Sequence, residues 1–286
     1  MGHGVQARNA APKLIVRPPR APLRPFLKTL WAMDQTSPPH AADRERVLPT
    51  GTMHLAVRLS DDSLRLFQNV YDTAGHTIGH SVVGGARATV YLRDVSRPSR
   101  SVGAQLHAGA CEILFGVPAG ELAERHTQLD AIWGRPALEM RERLLEAGSL
   151  EQQLDLFESI LAGRLPRLRG LHPAVAHALE RLPAMTDVSE VVRETGYSHR
   201  RFIALFRHAV GLTPKVYCRV LRFGQALERV STDPAAPHAG LALEAGFSDQ
   251  AHFNREFREF AGLTPGEYRR DPPLLTYHVP IRRPFR

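Results

Sequence analysis

The sequence predicts an α+β chain of two domains: an N-terminal antiparallel β sandwich or barrel-like domain with helices following it, then a C-terminal all-α domain. Three observations carry this. Between about Leu30 and Gly109, short β-branched and aromatic runs alternate with glycine turns. After Phe115-Gly116-Val117-Pro118 the apolar spacing changes to three and four residues. Finally, the text from Gly196 to Pro214 is echoed from Gly246 to Pro265. A chain of 286 residues with 43% hydrophobic content suffices for two domains with cores of their own.

Residues 1–24, with prolines and charges mixed together, read as a disordered arm. The β-rich domain is expected over 25–162. In its run His54 to Leu59, the residues Leu55, Val57 and Leu59 share one side, while His54, Ala56 and Arg58 share the other. That second side either lines a pocket or faces water. Ser60 to Ser63 makes a turn before Leu64 to Phe67 resumes, and Ala88 to Leu92 is another strand-like run. Pro118 opens a helix predicted over Ala119 to Arg125, and Pro136 opens one through Leu145. Leu154, Phe157, Ile160 and Leu161 give a third, and 163–170, with Pro166 and three arginines, reads as a linker. In 171–270, Pro173 opens a helix and Asp187 starts a short one ending at Thr195. Pro214 opens a longer helix, and Leu241 to Ala245 begins the second copy of the repeat. Residues 271–286 read as a basic, proline-rich tail.

Charge separates the halves. Residues 1–163 carry 18 Lys/Arg against 17 Asp/Glu, whereas 164–286 carry 19 against 12. Nearly all of the net +8 therefore lies in the repeated half, which points to a polyanionic partner. Lys215 is the only lysine there, and arginine suits both phosphate clamping and base-edge reading. Cys111 and Cys218 form no Cys-x-x-Cys pair, so a reducing compartment is expected. No apolar run approaches the ~20 residues of a membrane span, and the N-terminus lacks a signal-peptide core; a soluble cytoplasmic protein is the expectation. The histidines at 40, 54, 76, 80, 107 and 126 fall in no ligand-spaced cluster, so no metal is expected, and no other cofactor either. The motifs of Ser hydrolases, dinucleotide sites and phosphate loops are missing, which argues against an enzyme.

The repeat has the form of a helix-turn-helix used twice. Ser198 is placed to cap a helix behind the Gly196 turn. That helix, His199 to Val210, buries Phe202, Leu205, Phe206, Ala209 and Val210 and offers His199, Arg200, Ile203, Ala204 and Arg207. In the second unit Ser248 is the expected cap. Phe253, Phe257, Phe260 and Ala261 face inward, and Asp249, Gln250, Asn254, Arg255 and Arg258 face out. Gln250 and Asn254 suit adenine edges, Arg255 suits guanine, and Arg258 is placed for phosphate. The helix from Pro214, roughly 25 Å long at 1.5 Å per residue, can separate two recognition helices by something near one duplex turn.

On these motifs residues 171–270 resemble the DNA-binding domain of AraC/XylS-type bacterial transcription regulators, with two helix-turn-helix units joined by a long helix. The matching text is Gly196-Tyr-Ser-His-Arg-Arg-Phe through Gly-Leu-Thr-Pro214, and Gly246-Phe-Ser-Asp-Gln-Ala-His-Phe through Gly-Leu-Thr-Pro265 with Glu267-Tyr268-Arg269. The resemblance implies sequence-specific binding of double-stranded DNA across two adjacent major grooves. By position, Arg200, Ile203, Ala204, Gln250, Ala251, Asn254 and Arg255 are the base-reading candidates. Ser198, His199, Arg207, Lys215, Ser248 and Arg258 are the phosphate candidates. Family members often carry arginine where this chain has Ala204, so the first helix is expected to read DNA more weakly. Residues 111–133 are similar to a β-rich N-terminal domain of some such regulators, which implies effector sensing or dimerisation. The implied partners are DNA, RNA polymerase, a small-molecule effector and a second copy of the chain. Two other readings stay open: a repair protein accepting alkyl groups on Cys111, and an architectural protein binding DNA without sequence preference.

Overall fold

In a computed structural model, residues 12–35, 43–166, 170–184, 187–233 and 237–281 are described. The front half holds two antiparallel sheets. The first has six strands: β1 (Lys13–Arg17), β2 (Leu27–Gln35), β4 (His54–Arg58), β7 (Ser81–Gly84), β9 (Ser99–Leu106) and β10 (His126–Gln128), in the order β1-β2-β9-β4-β7-β10. The second contains β3 (Arg44–Val47), β5 (Leu64–Phe67), β6 (His76–Gly79) and β8 (Tyr91–Asp94). A last strand, β11 (His278–Ile281), completes the order β11-β3-β8-β5-β6.

Alternation along the strands decides what each face meets. Leu30, Ala32, Leu55, Val57, Val83, Val102 and Ala104 are all at most 1% exposed, on the face of the first sheet that takes the helices. Those helices are α1 (Cys111–Phe115), α2 (Ala119–Leu122), α3 (Asp130–Trp133), α4 (Arg135–Glu146) and α5 (Leu150–Gly163), with α5 lying on β2. The opposite face looks toward the second sheet across a small apolar cluster of Leu64, Leu66 and Val82, flanked by Ile78 and Tyr91. His54, Ala56 and Arg58 lie on this inter-sheet side, half-buried.

The back half is helical: α6 (Pro173–Arg181), α7 (Val188–Thr195), α8 (His199–Val210), α9 (Pro214–Thr232), α10 (His238–Glu244), α11 (Gln250–Ala261) and α12 (Pro265–Arg270). Its buried side chains are continuous with those of the front half in one apolar cluster.

Three expectations are corrected. Residues 1–11 of the expected arm lie outside the described residues, but Lys13–Arg17 is not disordered: it pairs with β2 from Lys13↔Asp34 to Arg17↔Leu30. Arg17 and the Arg20 backbone N–H also hold the buried carboxylate of Glu158 on α5. The helix read over Ala119 to Arg125 stops at Leu122. Glu124 takes a left-handed φ of 58°, and His126–Gln128 then pairs with β7. The tail is the largest difference. Its residues 278–281 return to the front domain as β11, paired with β3 from His278↔Val47 to Ile281↔Arg44. Pro280 is tolerated because β11 is an edge strand.

The strand is pinned by charge as well. Glu45, 6% exposed, receives His278 Nδ1 at 2.7 Å and pairs with Arg93. Burial alone would push the Glu45 carboxyl up, yet Arg93 and His278 together hold it at about 2. Behind β11, Tyr268 Oη donates to Thr276 O at 2.9 Å, and Leu48 N–H donates to Tyr277 O at 2.9 Å.

Candidate nucleic-acid interface

Each unit begins with a glycine that lets the chain turn sharply. Gly196 closes α7 at a φ of 71°, and Gly246 follows α10 at 76°, both in the left-handed region that side chains disfavour. Ser198 then caps α8 as expected, its Oγ accepting from Arg201 N–H at 3.4 Å. The second cap is one residue later than expected. Asp249, not Ser248, caps α11, accepting from His252 N–H at 2.7 Å. A carboxylate is the stronger acceptor at the positive end of a helix, and Ser248 Oγ donates to it at 3.0 Å. The shift absorbs the extra residue of the second unit, so both recognition helices have 12 residues.

α9 is the spine common to both units. From its first half Tyr217 meets Phe206 of α8 at 5.6 Å. Six residues further on, Phe223 meets Phe257 and Phe260 of α11 at 5.4 and 5.2 Å. These rings are buried, Phe206 and Phe257 completely. Arg222 of α9 donates to Gly246 O at 3.2 Å, fixing the second turn, and Arg219 holds Glu256 and Glu259 of α11 at 2.6 and 2.7 Å. Sequence reasoning missed these two arginines, counting them only as bulk positive charge.

What remains outside is the candidate interface. On the first unit Ser198, His199, Arg200, Ala204 and Arg207 are exposed, as is Lys215, while Ile203 is half-buried. On the second unit Ser248, Gln250, Ala251, Arg255 and Arg258 are exposed. Asn254 is different. It is half-buried, and its Oδ1 is enclosed without a hydrogen-bond partner, so it is less free to reach out than Gln250 or Arg255. The end of α8 rests on the front domain. The Cα of Gly120 on α2 faces Arg207 O so closely that a Cβ there would stand 3.0 Å away, and His208 Nε2 lies 3.4 Å from Glu112 of α1.

A Helix-turn-helix domain family model matches residues 191–271, which takes in both turns, both recognition helices and α9 between them. Residues 191–271 thus form a helix-turn-helix DNA-binding domain. A second model, a domain of unknown function (DUF6597), matches residues 16–128 of the sandwich. Among curated relatives, the putative HTH-type transcriptional regulator YkgA of Escherichia coli K12 is 31% identical over 83 residues, 29% of this chain. The match spans 34% of that relative's length, about a third. Among solved structures, ToxT of Vibrio cholerae is 10% identical at a TM-score of 0.44, covering 91% of this chain and 98% of that one. The C-terminal domain of AraT from Geobacillus stearothermophilus is 20% identical at 0.34, covering 36% and 88%.

Cys111 does not suit alkyl transfer. It is 1% exposed, its Sγ donates to Val117 O at 3.2 Å, and burial pushes the thiol up to about 12, which suppresses the nucleophilic thiolate. Among the described residues, no helix is long and apolar enough to cross a membrane.

Proposed function

We propose that the chain is a sequence-specific regulator of transcription that lays α8 and α11 into successive major grooves on one face of double-stranded DNA. The observation that carries this is the shared spine: one helix seats both recognition helices through edge-to-face ring contacts, leaving the outward residues of both exposed. Arg255 and Gln250 read bases in the second groove. Ala204 offers a thymine methyl contact at most in the first, with Arg200 and Arg207 on phosphates. The β-rich domain modulates the first unit, on which it directly rests.

Selection of bound fragments from genomic DNA at fixed salt tests this reading, followed by affinities for the selected and a scrambled duplex. Arg255→Ala is expected to lose roughly 1–3 kcal/mol on the selected site and much less on the scrambled one. Equal losses on both duplexes would leave an architectural binder instead.

A further inference from the structure

The loop from β7 to β8 carries a buried arginine on which no carboxylate of the described residues closes as an ion pair, although the charge of Glu124 reaches it. Arg87 is 9% exposed, its Nε has no hydrogen-bond partner, and among the described residues it forms no ion pair. Its guanidinium carbon lies 4.5 Å above the Tyr91 ring. Tyr91 in turn meets His126 at 4.5 Å, and His126 meets His54 at 5.9 Å. The Nε2 of His126 is likewise enclosed without a partner. The nearby carboxylates are already engaged. Glu45 holds Arg93 and His278, and Glu124 accepts from Ala88 N–H at 2.7 Å and Thr89 Oγ1 at 2.8 Å. Asp62 and Asp94 act on Arg58. His54, Tyr91, Arg93 and His126 are each half-buried, so the group is reached from the surface rather than sealed in a core.

Burial and the neighbouring guanidinium charges hold His54 down at about 4. Burial, then His54 and Arg87, hold His126 at about 2. Both imidazoles are therefore neutral walls at neutral pH, and Arg87 is the unpaired charge. Burying such a charge is strongly unfavourable unless a counter-charge arrives.

We propose that this half-buried group forms a recess that binds a small molecule through a carboxylate or phosphate group seated on Arg87, between walls of Tyr91, His126 and His54. A guanidinium offers such groups a planar, two-pronged donor set. The proposal rests on the sensing role given above to the β-rich domain, and deepens it. Ala86, next to Arg87, touches the closing turn of the first recognition helix: a Cβ on Gly211 would stand 3.1 Å from Ala86 Cβ. Occupancy of the recess thus bears on the seat of α8.

Thermal melting of the full chain tests this at neutral pH, with benzoate, succinate or inorganic phosphate at millimolar concentration and benzamide as the neutral control. Without any probe, Arg87→Met is expected to melt above the wild-type, since it removes an unpaired buried charge. At least one anion is expected to raise the melting temperature of the wild-type by several degrees and not that of Arg87→Met; benzamide should raise neither. The three anions separate a carboxylate from a phosphate preference. A lower melting temperature for unliganded Arg87→Met, or no anion acting through Arg87, would overturn the site. An anion that binds through Arg87 yet leaves DNA affinity unchanged would keep the site and remove the sensing role.

Discussion

α8 and α11 are equally long, both end at a left-handed glycine, and both are seated on α9 by aromatic ring contacts, yet their surroundings differ. α8 rests its last turn on α1 and α2 of the sandwich, and the closing Gly211 touches Ala86, Ala119 and Ala123. α11 packs on α9, α10 and α12, and meets the front domain at its exit, where Gly262 faces Arg46 and Val90. The polar residues proposed to read bases, Gln250 and Arg255, lie on the helix with the lighter contact. The two units thus share what makes the helices fold and differ in what they face. On the function proposed above, one unit feels the sandwich and the other discriminates among bases.

The seats can be compared directly. Phe257→Ala and Phe206→Ala should each lose about 3–5 kcal/mol in chemical unfolding, because both rings are fully buried. Phe257 should lose more, since it meets Phe223, Phe253 and Tyr268 within 6.0 Å, whereas Phe206 meets Phe202 and Tyr217. The opposite order would mean that docking on the sandwich, rather than ring stacking, sets the stability of the units.

A smaller change isolates the docking itself. Gly120→Val puts methyl groups against Arg207 O, where even a Cβ would be only 3.0 Å away. Overpacking of this kind costs about 1–3 kcal/mol. Amide hydrogen exchange should quicken in α8 and stay unchanged in α11. Equal quickening in both would erase the distinction between the more and the less closely docked unit.

The helical half was legible because its signals are local. Gly196, Ser198 and the i, i+3, i+4 phenylalanines specify a turn, a cap and a buried face within a few residues of one another. The misplaced cap at Ser248 shows the limit: Ser248 and Asp249 are both good caps, and only the final helix geometry chooses between them. What stayed hidden depends on distant pairing. β11 is four residues of ordinary text, His278-Val-Pro-Ile281, whose partner β3 lies more than two hundred positions earlier. Arg87 carries no signal of its own, since a buried arginine and a surface arginine are the same letter. The alternation at His54, Ala56 and Arg58 separated the two sides of the strand but left open whether this one faced a pocket or water, because the second sheet that closes over it comes from distant text.

The smallest expected effect separates the two caps by acid. Ser198 does not titrate in this range; Asp249 does. The His252 N–H and the Ser248 hydroxyl hold the Asp249 carboxyl below its ordinary value of 3.8. A carboxylate whose folded value is depressed contributes its stability above the unfolded value and loses it as pH falls through the folded one. The first turn of α11 should therefore loosen in acid, below the ordinary aspartate range, while that of α8 holds. The amide resonance of His252, followed by NMR down to about pH 2, should titrate with a midpoint under the ordinary aspartate value. That of Arg201 should stay flat. Asp249→Asn keeps an N-cap acceptor without the charge and should abolish the titration. If His252 still titrated in Asp249→Asn, acid would be acting on the seat of the helix rather than on its cap.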